Sequence, residues 1–218
     1  MLPSFKSKKR VGILGGTFDP IHMGHLMVAQ HAWEEVQLDA ILFVPARSPW
    51  MKVEHELAPV EDRLAMVRLA VGVVDAFGVS HLEVDRSGPS YTVDTLAALR
   101  QAAPEWRLFL ILGADAASEL GRWKEPGKLL GMCEVVVAPR PGYVAKDGVS
   151  LEDSLASLGA ARTAVQQITG PRVDISATDI RRRVKAGRSI RYLVPEAVEV
   201  YIRLKGLYRG ESGVSGAR

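Results

Sequence analysis

Short runs of branched apolar residues recur along the chain, spaced so that a helix fits between neighbours: Val11–Leu14, Ile41–Val44, Leu82–Val84, Leu108–Leu112 and Val135–Ala138. Unbroken apolar runs of this length are what strands buried on both faces require, whereas a strand wetted on one face would alternate. Between the first two runs, Leu26, Ala29, Trp33 and Val36 stand three and four apart and so share one helical face. A second helix is expected around Leu64, Val67, Leu69 and Val71, and a third around Val93, Leu96, Ala97 and Leu99, after the turn at Gly88-Pro89-Ser90. Such alternation selects an α/β fold, a doubly wound, Rossmann-like parallel sheet, whose ligands bind beyond the carboxyl ends of the strands.

Past Gly142 the pattern turns helical, with a weakly amphipathic stretch at Leu151–Leu158 and stronger helices near Thr178–Ala186 and Pro195–Lys205. The expected organisation is one domain spanning 1–218: a core at about 10–142, a small helical C-terminal subdomain at about 143–208, and a frayed tail at 209–218. At 218 residues, 47% of them hydrophobic and 24% charged, the chain can bury a core of its own and carries no tract biased towards disorder. The net charge of +3 is spread out except for Arg181-Arg182-Arg183 and the two tails, which suits small phosphates and argues against a nucleic-acid partner. The single Cys133 sits in an apolar run, so a buried, inert thiol and a reducing cytoplasmic setting are expected. No membrane span and no secretory leader is expected, and the sequence leaves a homo-oligomer open.

The first strand is followed by Gly15-Gly16-Thr17-Phe18-Asp19-Pro20-Ile21-His22-Met23-Gly24-His25. Paired glycines let backbone N–H groups approach a phosphate, and the helix start adds partial positive charge. Glycines alone would mark an ordinary turn; the histidines change that reading. His22 and His25, three apart at the helix mouth, can both donate to one bound phosphate. Zinc is disfavoured because no further His or Cys stands close by, so no protein-held metal is expected. The spacing matches neither the Walker loop nor Gly-x-Gly-x-x-Gly, which sets kinases and dehydrogenases aside.

His22-Met23-Gly24-His25, with Gly16-Thr17-Phe18-Asp19-Pro20 before it, resembles the H-x-G-H signature of the nucleotidylyltransferase superfamily. Ile175-Ser176-Ala177-Thr178-Asp179-Ile180-Arg181 resembles its second signature, with Ala177 where Ser is commoner. There Ser176 reads as a helix N-cap, with Asp179 as its capping-box partner. Thr178 and Arg181 in the same turn could hold outer phosphates. Ser90-Tyr91-Thr92-Val93-Asp94-Thr95-Leu96, Trp123 and Arg140-Pro141-Gly142-Tyr143 are similar to segments of the bacterial nicotinate-mononucleotide adenylyltransferases. The loop ending in Lys52 resembles that family's Pro-Pro-His-Lys, with Trp50-Met51 in place of Pro-His.

The resemblance implies ATP and nicotinate mononucleotide as small-molecule substrates, pyrophosphate release, and Mg²⁺ bound through substrate phosphates. It implies His22 and His25 as catalytic residues; Gly15, Gly16, Thr17, Phe18, Gly24, Gly113, Asp115, Ile175, Ser176, Thr178 and Arg181 on ATP; and Lys52, Thr92, Trp123 and Arg140 on the acceptor. Trp123, flanked by Arg122 and Lys124, would offer a flat face to the pyridine ring. Nicotinamide mononucleotide or phosphopantetheine as acceptor, a non-catalytic nucleotide sensor, and a nucleic-acid-binding module remain the rival readings.

Overall fold

Successive residues of the apolar runs point to opposite sides of one sheet, as the two-residue period of a strand demands. Ile41, Phe43, Phe109, Ile111 and Val136 belong to one buried cluster, while Leu42, Val44, Leu108, Leu110, Val135 and Val137 belong to the other. The computed structural model describes residues 3, 5, 7–49, 56–139, 157–158, 165–170 and 173–209.

In chain order the elements among these residues are β1 (Arg10–Gly16), α1 (Met23–Glu35), β2 (Ala40–Pro45), α2 (Val60–Val71), β3 (Phe77–Val79), α3 (Leu82–Asp85), α4 (Thr92–Ala102) and β4 (Arg107–Gly113). They continue as α5 (Ala114–Ser118), a 3-10 turn (Leu120–Arg122), α6 (Pro126–Leu130), β5 (Glu134–Ala138), β6 (Val165–Gln167), α7 (Ala177–Lys185) and α8 (Glu196–Lys205). The six strands lie in the order β3-β2-β1-β4-β5-β6, every pairing parallel. Apolar residues of α1, α2, α7 and α8 cover one face, and those of α4 and α6 cover the other. Each buried Phe, Leu or Ile in these layers contributes about 1.5–3 kcal/mol.

Two expectations change. The run Leu82–Val84 is not a strand but the short helix α3. The strand lies just before it, where Phe77–Val79 pairs with Ile41–Phe43. Leu-x-Val mimics a strand, but the intervening Glu83 is the more deeply buried side of the turn, bonded to Thr95, and Ser80 Oγ accepts the N–H of Leu82 at the bend. The sixth strand, Val165–Gln167, carries two glutamines in three residues and so gave no apolar signal. The stretch expected to be helical at Leu151–Leu158 lies outside the described residues except at 157–158, as does the tail beyond 209.

Candidate active site

Where β1 and β4 end side by side, the chain departs to opposite halves of the sheet, and a parallel sheet leaves a crevice at such a point. A cleft of about 400 Å³ opens there. The end of β1, the loop after it and the start of α1 supply Gly15, Gly16, Thr17, His22, Gly24 and His25, and the junction of β4 and α5 supplies Gly113 and Asp115. A Cβ on Gly15 would meet nothing within 4 Å, so this glycine fronts open space.

The histidines start α1. His22 is its N-cap in extended conformation, and the two imidazoles stack with centroids 3.7 Å apart. His25 Nδ1 accepts the His22 backbone N–H at 3.2 Å, which leaves its proton on Nε2. Buried His22 Nδ1 has no hydrogen-bond partner among the described residues. Burial lowers the His22 pKa to about 4; burial, and then the neighbouring His22, lower that of His25 well below its ordinary value. Both rings are therefore neutral at neutral pH until an anion approaches. Met23 N–H already donates to Leu193 O at 2.8 Å, so the first amide of α1 is committed to the C-terminal region rather than open to a ligand.

Two neighbours hold this pair in place. A Cβ on Gly24 would stand 3.1 Å from Cε1 and Nδ1 of His22, so a side chain here would press the ring aside by a few tenths of an ångström. Phe18, 2% exposed, does not line the cleft but meets His25 edge-on at 5.0 Å, from a backbone φ of +49° that costs a side chain about 1–2 kcal/mol.

Thr92, at the start of α4, and half-buried Trp123 also line the cleft. Lys124 ties the Trp123 segment to α4: Nζ lies 3.0 Å from the Asp94 carboxylate and 4.7 Å from the Tyr91 ring centroid. Glu83, Ser90 and Thr95, which the sequence did not single out as site residues, line the cleft too. Thr95 Oγ1 donates to Glu83 Oε1 at 2.6 Å, and burial raises the pKa of that carboxyl.

Ile175 lines the cleft, whereas Ser176, Thr178 and Arg181 lie beside it at the start of α7. Ser176 caps α7 by accepting the Asp179 N–H at 3.2 Å. The expected capping box is only half made, because the Asp179 carboxylate turns instead to Arg182 and to Arg183, the latter at 2.8 Å. Arg181 donates to Thr178 Oγ1 and to the main chain of Asp19. Lys52 and Arg140 lie outside the described residues. Among the described residues no group of three or more His, Cys, Asp or Glu could hold a metal ion, and no helix is long and apolar enough to cross a membrane. Cys133 is buried and its thiol is pushed up to about 12, far from a nucleophile.

Residues 13–183 match the family model described as Cytidylyltransferase-like. A protein of Roseiflexus sp. (strain RS-1) named "Probable nicotinate-nucleotide adenylyltransferase" is 46% identical over 203 residues, 93% of this chain and 100% of its own. One of the same name from Thermus thermophilus is 48% identical over 200 residues, 92% of this chain and 100% of its own. This chain belongs to the nicotinate-nucleotide adenylyltransferase family. The fold is also that of the Plasmodium falciparum nicotinic acid mononucleotide adenylyltransferase complexed with NaAD, at a TM-score of 0.74 and 20% identity, covering 92% of this chain and 97% of that one. Within the nicotinate-nucleotide adenylyltransferase family, then, this chain places its two signature segments around one cleft, although Gly24 and Ile175 stand far apart in sequence: the Ile175 carbonyl oxygen is 3.6 Å from where a Gly24 Cβ would be.

Proposed function

We propose that this enzyme transfers the adenylyl group of ATP to nicotinate mononucleotide, giving nicotinate adenine dinucleotide and pyrophosphate. The observation that carries the proposal is the stacked, desolvated His22–His25 pair in the same cleft that Thr92 and Trp123 line. Phosphate-handling histidines and an aromatic side chain within one cleft suit a mononucleotide acceptor lying against a triphosphate.

The acceptor phosphate is already a competent nucleophile, so the protein's work is alignment and charge neutralisation. His22 and His25 donate to the transferring and leaving phosphates. Gly15, Gly16 and Thr17 approach the triphosphate through the main chain, and Gly113, Asp115 and Ile175 border the nucleotide. Thr178 and Arg181 reach the outer phosphates from the first turn of α7, with Ser176 fixing that turn. Thr92 and Trp123 select the pyridine, with Lys52 and Arg140 as further acceptor contacts.

The described residues at the phosphate end present imidazoles, amides and a hydroxyl rather than a carboxylate cluster, which fits Mg²⁺ arriving on the triphosphate. Bound there, it would neutralise charge on the outer phosphates. The same reading sets the enzyme in the cytosol, where ATP is made available, with small molecules as its partners.

Comparing kcat/KM for nicotinate mononucleotide, nicotinamide mononucleotide and phosphopantetheine tests the acceptor. Nicotinate mononucleotide is expected to lead; a lead for either of the others rejects the acceptor assignment while leaving adenylyl transfer intact.

A further inference from the structure

Arg63, on α2, is the largest side chain that the fold buries almost completely among the described residues, with 1% of its surface exposed. Its guanidinium donates to four main-chain carbonyls. Nη1 reaches Thr17 O at 2.6 Å and Ala46 O at 2.7 Å, Nη2 reaches Arg47 O at 3.1 Å, and Nε reaches Ala58 O at 3.0 Å. Thr17 belongs to the loop after β1, Ala46 and Arg47 to the loop after β2, and Ala58 to the segment that leads into α2. Asp19 closes the arrangement: its Oδ1 accepts the Ala58 N–H at 3.2 Å, and its charge favours the buried cation.

This use of an arginine is specific. Five N–H donors in a rigid plane can satisfy several carbonyls at once, whereas a lysine ammonium meets fewer and at no fixed angle. Arg63 does not line the cleft, but Thr17 and Ala46 do, and Pro49 continues the second loop along the cleft wall. On the functional reading above, the first loop carries ATP and the second faces the acceptor.

We propose that Arg63 is a positioning residue that locks the ATP-side loop and the acceptor-side loop into one unit, so that the two phosphates meet in line although Arg63 touches neither. A displacement of about 1 Å between loops that align reacting groups costs roughly 10²-fold in rate.

The test pairs Arg63→Lys, which keeps the charge, with Arg63→Ala, assayed well below their melting temperatures. The expected result for Arg63→Lys is a loss of roughly 10²-fold in kcat/KM with KM raised for both substrates. Arg63→Ala is expected to recover activity with added millimolar guanidinium, while His25→Ala recovers none. A side chain that merely stabilises the core would lower the melting temperature and leave both KM values and the guanidinium response flat. A folded Arg63→Lys with wild-type kinetics, or a loss confined to one substrate, overturns the proposal.

Should neither variant fold, hydrogen exchange on the unaltered protein decides. ATP alone is expected to raise protection in residues 15–18 and 46–48 together, and protection confined to 15–18 overturns the coupling. A wild type that joins ATP to no mononucleotide would defeat the functional reading instead, and the exchange measurement with ATP alone still reads the coupling.

Discussion

Arg181 donates from Nη1 to the main-chain oxygen of Asp19 at 2.7 Å, across 162 residues of chain, and the same guanidinium lies 3.8 Å from the Asp19 carboxylate. The first turn of α7 thereby grips the loop after β1. Tyr208, beyond α8, donates its hydroxyl to Asp19 Oδ1 at 2.7 Å, and burial beside that carboxylate pushes the phenol well above its ordinary pKa. Asp19, 3% exposed, is thus where the C-terminal helices meet the phosphate-binding loop.

Arg181→Ala should therefore do two things. Leaving the Asp19 main-chain oxygen without this donor, and its buried carboxylate without the neighbouring cation, should lower the free energy of unfolding in urea by about 1–3 kcal/mol. Loosening the loop should also raise KM for ATP by roughly tenfold. Loss of stability with an unchanged KM would make this contact purely structural.

Gly24→Ala isolates the histidine geometry from the rest of the loop. The added methyl would lie 3.1 Å from the His22 ring, so the imidazole must shift by a few tenths of an ångström against its stack on His25. Turnover is expected to fall by roughly tenfold or more, while stability, which gains helix propensity and suffers a local clash, moves by about 1 kcal/mol or less. Wild-type turnover in this variant would mean that the position of the His22 ring is immaterial.

Much of this was legible in the sequence. Buried parallel strands declare themselves by unbroken apolar runs, so four of the five expected strands stand where they were read. The loop from Gly15 to His25 was legible because glycine, proline and histidine act through the local backbone. Long-range reassignments were not. Glu83 was hidden inside Leu-Glu-Val, which has a strand's pattern, and only the fold shows that Thr95 bonds its carboxylate. Arg63 reads as a solvated charge between Asp62 and Leu64, because nothing local reveals that three carbonyls from other loops converge on it. Asp179 was read as a cap partner, but Arg182 and Arg183 compete for its carboxylate within the same helix.

The pH dependence follows from the buried pair. The His22 pKa in the folded protein, about 4, lies below its ordinary 6.5, so folding favours the neutral ring. That contribution, of order 3 kcal/mol, is fully present above pH 6.5 and is lost as pH falls through 4. His22→Asn should flatten the fall in stability over that window. A triphosphate beside the rings favours their charged form, so ATP binding near pH 6 should take up protons. Titration calorimetry in buffers of different ionisation enthalpy reads this directly, and equal heats in all buffers would contradict it.

His25→Ala removes a donor from the developing charge and also the acceptor of the His22 N–H. Turnover should drop by roughly 10²–10³-fold while ATP affinity falls much less. Near-wild-type turnover with ATP affinity unchanged would remove His25 from the chemistry.

The measurement that bears most directly on the central claim is the product balance of the purified protein given ATP, Mg²⁺ and nicotinate mononucleotide. The proposed function predicts one pyrophosphate and one nicotinate adenine dinucleotide for each ATP consumed, with no ADP formed. Dinucleotide absent, or ATP lost as ADP and phosphate, would contradict it.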